Sequence, residues 1–323
     1  MGVRLFSNLT TAPRLKDEDH VMEWHVAVAQ LRPKKGAYDF TLAHLGETLS
    51  QLDAANEPLD VLVLPEMALT GYFLQGGIAE VARETDQFFE ELLGLFRQAT
   101  RAGRPPLDVV IGFPERRDSR LFNSVLYATL GHRPEESRIH HVHRKIFLPT
   151  YGVFDEKRYV NRGRDLTAFA TRAGPAGMLI CEDAWHTITG TVLALGGARI
   201  VYIPVASPAR GFEGDVVANV GRWHRLAQSM AEEHAIFVVT ANLVGFEGGK
   251  GFIGGSVVVN PLGEIMVEGP MGEECILRAT LDLDEIAIAR AGLPLLGDLE
   301  SQLPDVLHAL AHAAEPHREG AHR

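Results

Sequence analysis

Between Glu23 and Asp284 the chain alternates short apolar runs with longer segments whose apolar positions recur every three or four residues. The first kind fits buried strands and the second amphipathic helices. EWHVAVAQLRP is alternating and Val-rich, which predicts a strand at about 24–31, and Phe40 to Leu52 has helical spacing. DVLVLPE (60–66) reads as a continuous apolar strand ending at Glu66, Asp86 to Arg101 as an amphipathic helix, and DVVIGFPE (108–115) as another strand. NSVLYATL (123–130) and SRIHHVHRK (137–145) read as neighbouring strands about a turn at His132 to Glu135. The order then repeats. Met178 to Ile180 form a short strand ending in Cys181, followed by a helix near 185–196, a strand at 198–206, a helix near 217–234 and a strand at 235–242. Strands at about 255–260 and 264–268 flank a Pro261 to Gly263 turn, and 275–283 reads as a last strand. The mixture predicts an α/β layered domain over 23–284. An N-terminal extension, 1–22, precedes it, and a partly helical tail, 285–323, follows and frays after Glu315.

Composition narrows the class. With 323 residues, 46% of them hydrophobic and 23% charged, the chain has ample material for a core. A formal net charge of -11 argues against nucleic acid or an anionic membrane as the main partner. Two cysteines, Cys181 and Cys275, make no disulfide framework, so a reducing cytoplasm is the expected location. No apolar run approaches the roughly 18 residues of a membrane span. Residues 1–20 have no continuous apolar stretch of the secretory kind.

Three strand ends carry chemistry: Glu66 after VLVLP, Lys145 after RIHHVHR, and Cys181 after GMLI. Read alone, Cys181 is better taken as a small buried hydrophobe, Glu66 as an acid at a helix start and Lys145 as a solvated edge charge. Read together, an acid, an ammonium and a thiol at one sheet edge supply what amide hydrolysis needs. A carboxylate takes the thiol proton and returns it to the departing amine, while the lysine and the N–H after Cys181 steady a developing oxyanion. The cluster His140, His141, His143 invites a metal reading. Strand alternation puts His140 on the face opposite to the other two, and the chemistry needs no metal or other cofactor. Cys275 falls inside a late strand and reads as packing.

The segment LPEMALTGY (64–72) resembles the glutamate motif of the nitrilase superfamily of carbon-nitrogen hydrolases. HRKIFLPTYGVFDEKRYVNRG (143–163) resembles its lysine motif and ICEDAW (180–185) its cysteine motif, all in the family's order. The resemblance implies an α-β-β-α sandwich with a Glu66, Lys145, Cys181 triad. It also implies a second glutamate in FDEKRY, Glu156, that orients the lysine and the substrate amine. VASPARG (205–211) resembles the family's substrate-facing loop, which makes Ser207 a candidate contact; Tyr151 and Glu182 are the other candidates on the substrate side. LPTYGVFDEKRY followed by ICEDAW is most similar to the glutaminase domain of glutamine-dependent NAD synthetases. Residues 285–323 leave no room for a synthetase module, and the Gly-rich stretch NLVGFEGGKGFIGGS (242–256) departs from the acidic segment usual there. Two readings stand. One is a self-contained amidase or carbamoylase working on a small linear amide through a thioester. The other is a glutaminase component that feeds ammonia to a separate synthetase partner, or a chain that keeps the fold mainly to bind one. A homodimer or larger homo-oligomer is the expectation that the resemblance carries.

Overall fold

A computed structural model describes residues 22–213 and 216–314. The first half runs β1 (Glu23–Gln30), α1 (Tyr38–Ala54), β2 (Val61–Val63), α2 (Ile78–Val81), α3 (Thr85–Ala99), β3 (Leu107–Arg117), β4 (Arg120–Leu130) and β5 (Arg138–Arg144). The second half begins β6 (Phe169–Thr171), β7 (Gly174–Met178), α4 (Thr187–Leu195), β8 (Ile200–Val205), β9 (Phe212–Glu213), β10 (Val216–Val217) and α5 (Ala218–His234). It continues β11 (Phe237–Asn242), β12 (Val244–Glu247), β13 (Lys250–Ile253), β14 (Val257–Val259), β15 (Ile265–Glu268) and β16 (Cys275–Asp282), then α6 (Glu285–Gly292) and α7 (Leu295–Ala314).

Two six-stranded sheets result, ordered β16-β1-β2-β3-β4-β5 and β15-β14-β11-β8-β7-β6. In each, three neighbouring strands run parallel, β1-β2-β3 and β7-β8-β11, and antiparallel strands extend the edges. Side-chain alternation fixes the layers. Val26, Val28, Val61, Val63 and Val110 pack into a core shared with Ile200, Tyr202 and Val238 of the second sheet. Their neighbours Ala27, Ala29, Leu62, Leu64 and Val109 face the other way, onto Leu45 and Leu49 of α1 and Phe88, Leu92 and Phe96 of α3. Helix α5 covers the second sheet with Trp223, Ala227 and Ala231, and α4 with Leu193. This is the α-β-β-α sandwich that the motifs imply. Strands buried on both faces explain why β2 and β3 read as unbroken apolar runs rather than alternating ones.

Some expectations need correction. The strand before Cys181 is β7, which ends at Met178, so Leu179 and Ile180 lie beyond it. Cys181 opens a single 3-10 turn, Cys181–Trp185, and the helix follows only at Thr187. The run 60–66 is strand only at Val61–Val63; Leu64 N–H still donates to the Val110 carbonyl, and Pro65, with no N–H to give, ends the donors. The histidine faces also differ. A bulge opposite Tyr127 and Ala128 pairs those residues with His141 and Ile139, leaving His140 between them. One extra residue resets the alternation, so all three histidines meet the second half of the chain: His140 at the Ala170 carbonyl, His141 stacked on Phe169 and His143 on Asp183. The Gly-rich stretch 242–256 forms the hairpin β12–β13. The extension 1–22, apart from Met22, and the tail from Glu315 lie outside the described residues. Among those described, no helix is long and apolar enough to cross a membrane.

Candidate active site

Glu66, Lys145 and Cys181 sit beyond the C-terminal ends of β2, β5 and β7. This is the edge where parallel α/β sheets leave loops free to build a site. Lys145 donates to Glu66 Oε1 at 2.8 Å and to Glu156 Oε1 at 2.7 Å, and neither Lys145 nor Glu66 exposes any side-chain surface. Asn123 Nδ2 also donates to Glu66 Oε1, at 2.7 Å, and the N–H of Ala206 donates to Oε2 at 2.8 Å. Glu66 is thus fixed by groups from β4, β5 and the loop after β8, which spans both sheets. Burial works against the Lys145 ammonium, but the carboxylates of Glu156 and Glu66 outweigh it and hold its pKa well above the usual lysine range. Burial lifts the Glu156 carboxyl to about 7, against the pull of Lys145. FDEKRY therefore does not behave as a uniform surface run: Glu156 turns inward while Asp155, Lys157 and Arg158 stay exposed.

Close approach of the backbones makes this cluster possible. Gly112 accepts from Ala68 N–H and donates to the Pro65 carbonyl, and a Cβ there would lie 2.6 Å from the Glu66 Cα. Only glycine lets β3 support the turn that carries Glu66.

Cys181 is buried at a backbone φ of +44°, a left-handed conformation costly for a residue with a side chain. Burial pushes its thiol well above the ordinary range and Glu66 adds to that, while the Lys145 ammonium and the Ala206 N–H pull the other way. The thiol is therefore protonated at neutral pH and lies within the field of the Glu66 carboxylate. The elbow is anchored by Asp183, which is buried. Its Oδ1 accepts from the N–H groups of Ile146 and Phe147 at 3.0 and 2.9 Å. Its Oδ2 accepts from Ile180 N–H at 3.2 Å and meets His143 Nε2 at 2.9 Å. One carboxylate thereby ties the nucleophile turn to the strand and loop that carry Lys145.

A second tie comes from β12. Glu247 accepts from the N–H of Tyr72 at 2.9 Å and from that of Phe73 at 2.9 Å. Gly71, at φ +75°, leaves room for it, since a Cβ there would lie 2.6 Å from the Glu247 carboxylate. The Tyr72 hydroxyl so placed donates to Glu156 Oε1. Of the candidate substrate contacts, Tyr151 is 48% exposed and donates to Glu182 Oε2 at 2.7 Å, a pair at the rim. Ser207 is buried beside Ala206, and its Oγ accepts from Asn219 Nδ2. Sequence reasoning missed Asn123, Tyr72, Asp183 and Glu247 as parts of the site. Tyr72 and Asp183 lie inside the quoted motifs, and Asn123 opens a predicted strand; nothing local marks Glu247.

A family model described as carbon-nitrogen hydrolase matches residues 25–291. A glutamine-dependent NAD(+) synthetase of Thermotoga maritima is 32% identical over 80% of this chain, and the matched part spans 42% of the synthetase. An (R)-stereoselective amidase of a Pseudomonas species is 30% identical over 80% of this chain and 86% of its own length. Among solved structures, a carbon-nitrogen hydrolase from Helicobacter pylori superposes with a TM-score of 0.72 at 24% identity, covering 87% of this chain and 98% of that one. Sandwich, motif order and matched span converge, and the chain belongs to the carbon-nitrogen hydrolase family.

Proposed function

We propose that the chain is a thiol-dependent amidase that hydrolyses a small linear amide through a Cys181 thioester. The observation that carries the reading is a fully buried lysine bonded to two carboxylates beside a buried thiol at a left-handed turn. A burial-raised thiol needs a base at the moment of attack. Glu66 takes the Sγ proton as Sγ bonds to the amide carbon. Lys145 and the main-chain N–H of Glu182 stabilise the oxyanion. When the C–N bond breaks, the proton on Glu66 passes to the nitrogen, and ammonia or an amine leaves. Water then attacks the thioester, giving a proton to Glu66. The C–S bond breaks, the acid is released and Sγ recovers the proton. Glu156 holds Lys145 and the amide nitrogen in line, while Tyr151, Glu182 and Ser207 contact the acyl portion.

Similarity to the NAD(+) synthetase over the span of this chain supports a second reading, a glutaminase component supplying ammonia to a separate partner. Ammonia release by the purified chain separates the two, measured on glutamine and on a panel of ω-amides and N-carbamoyl compounds. Turnover of the panel with none of glutamine removes the glutaminase reading. No turnover of any amide removes the amidase. A Cys181 adduct heavier by the acyl group, seen by intact-mass spectrometry after quenching, is the expected signature of the thioester.

A further inference from the structure

A carboxylate offers about four acceptor positions on its two oxygens, and those of Glu66 are filled unequally. Oε1 accepts from Lys145 Nζ at 2.8 Å and from Asn123 Nδ2 at 2.7 Å, which occupies both of its lone pairs. Oε2 accepts from the Ala206 N–H at 2.8 Å and from no second donor among the described residues, so one of its lone pairs stays open. The same N–H also interacts with the Cys181 thiol, which sets the open oxygen and the sulfur beside one donor. Asn123 is what makes the two oxygens unlike. It lies on β4, 1% exposed, and its main-chain carbonyl accepts from the Lys145 N–H at 2.9 Å, so one residue holds both the carboxylate and the backbone of the lysine. Its own Oδ1 is buried with no partner among the described residues. Turning the amide over would bring that oxygen against the Glu66 carboxylate, which fixes the N–H toward Oε1. A buried asparagine that served stability alone would have both ends of its amide bonded.

We propose that Asn123 is a positioning residue: by filling Glu66 Oε1 together with Lys145, it leaves Oε2 as the oxygen that takes the Sγ proton. During attack the S–H bond breaks, an O–H bond forms at Oε2, and Sγ bonds to the amide carbon. The proton leaves Oε2 for the amide nitrogen as the C–N bond breaks. Without the Asn123 N–H the two oxygens carry one donor each, and a proton that settles on Oε1 sits on the oxygen that shares no donor with the thiol. The inference rests on the amidase reading and deepens it, since it takes Glu66 as the base and assigns the atom.

Asn123→Leu keeps the branching of the side chain and the main-chain carbonyl, and removes the donor and the unbonded acceptor together. Alkylation of Cys181 by iodoacetamide, followed by peptide mass spectrometry, needs the thiol to lose its proton but needs no substrate, and the partly exposed Cys275 of β16 is an internal reference. The variant is expected to alkylate at Cys181 slower than the wild type by about tenfold or more, with the Cys275 rate unchanged. On an amide its kcat is expected to fall by a similar factor with KM little changed, while the melting temperature holds or rises because an unbonded buried acceptor is gone. Unchanged alkylation of Cys181 overturns the proposal, and so does a loss of kcat that only follows a fall in the folded fraction. A wild-type protein that hydrolyses no amide removes the amidase reading alone, since the alkylation contrast still decides on Asn123. Should Asn123→Leu not fold, Asn123→Ala read in the same way decides.

Discussion

At the scale of single residues, the protonation states in the cluster set what each substitution does. Cys181→Ala removes the sulfur and keeps the turn, so turnover falls to background while the melting temperature stays within a few degrees; ammonia release and a thermal scan check both. Lys145→Met removes a charge aimed at the forming oxyanion. Its kcat is expected to drop by about 10²–10³, the range seen when one such donor is lost, with circular dichroism confirming the folded fraction. The raised carboxyl of Glu156 links activity and stability to pH in a definite sense. Because its folded value, about 7, exceeds the ordinary glutamate value of 4.5, the folded state binds the extra proton between them. Stability from this group is therefore present at low pH and lost as pH rises through 7. Urea unfolding of wild type and Glu156→Gln at pH 5 and pH 8 checks it. The wild type is expected to lose stability relative to the variant on going to pH 8, and no change in the difference would remove the linkage.

At the scale of elements, two loops and a turn are held by carboxylates as well as by the apolar clusters around Phe73 and Leu148. Asp183→Ala leaves the N–H groups of Ile146 and Phe147 without their acceptor, each such loss costing about 1–3 kcal/mol when the group stays buried. Denaturant unfolding should show that cost. Asp183→Asn keeps an acceptor but loses the charge, and a fall in kcat larger than any rise in KM is expected if the clamp aligns Cys181 with Lys145. Gly112→Ala drives a methyl into the Glu66 backbone and is expected to cost about 1–3 kcal/mol as overpacking, together with most of the activity. Glu66 and Cys181 were legible in the sequence because apolar runs stop abruptly at them, Lys145 because it closes the alternating RIHHVHR strand, and the flanking motifs assigned them a common purpose. Glu156 was legible only through the resemblance, since a charged run by itself looks solvated. The face of His140 was not legible, because a bulge depends on the partner strand and shifts the alternation without changing composition. Nor was Glu247, which reaches Tyr72 across 175 positions in the chain and needs the left-handed Gly71 to make room.

At the scale of the whole molecule, the two sheets are joined by apolar packing and by polar bridges, among them Trp24 Nε1 to Tyr202 Oη at 3.2 Å, Ala206 N–H to Glu66, Arg172 to Asp108 and His143 to Asp183. The lysine and both glutamates come from the first sheet and the loops after it, and the thiol and Ala206 from the second. A partly folded chain with either sheet formed alone would carry an acid and an amine, or a sulfhydryl, but never the working set. Amide turnover is then expected to report sheet docking, returning no earlier in refolding than the tertiary signal of the packed sandwich; turnover that precedes that signal in stopped-flow refolding would remove the link. Any reactivity of the site is thereby tied to the finished architecture, since neither half of the sandwich holds all of its groups.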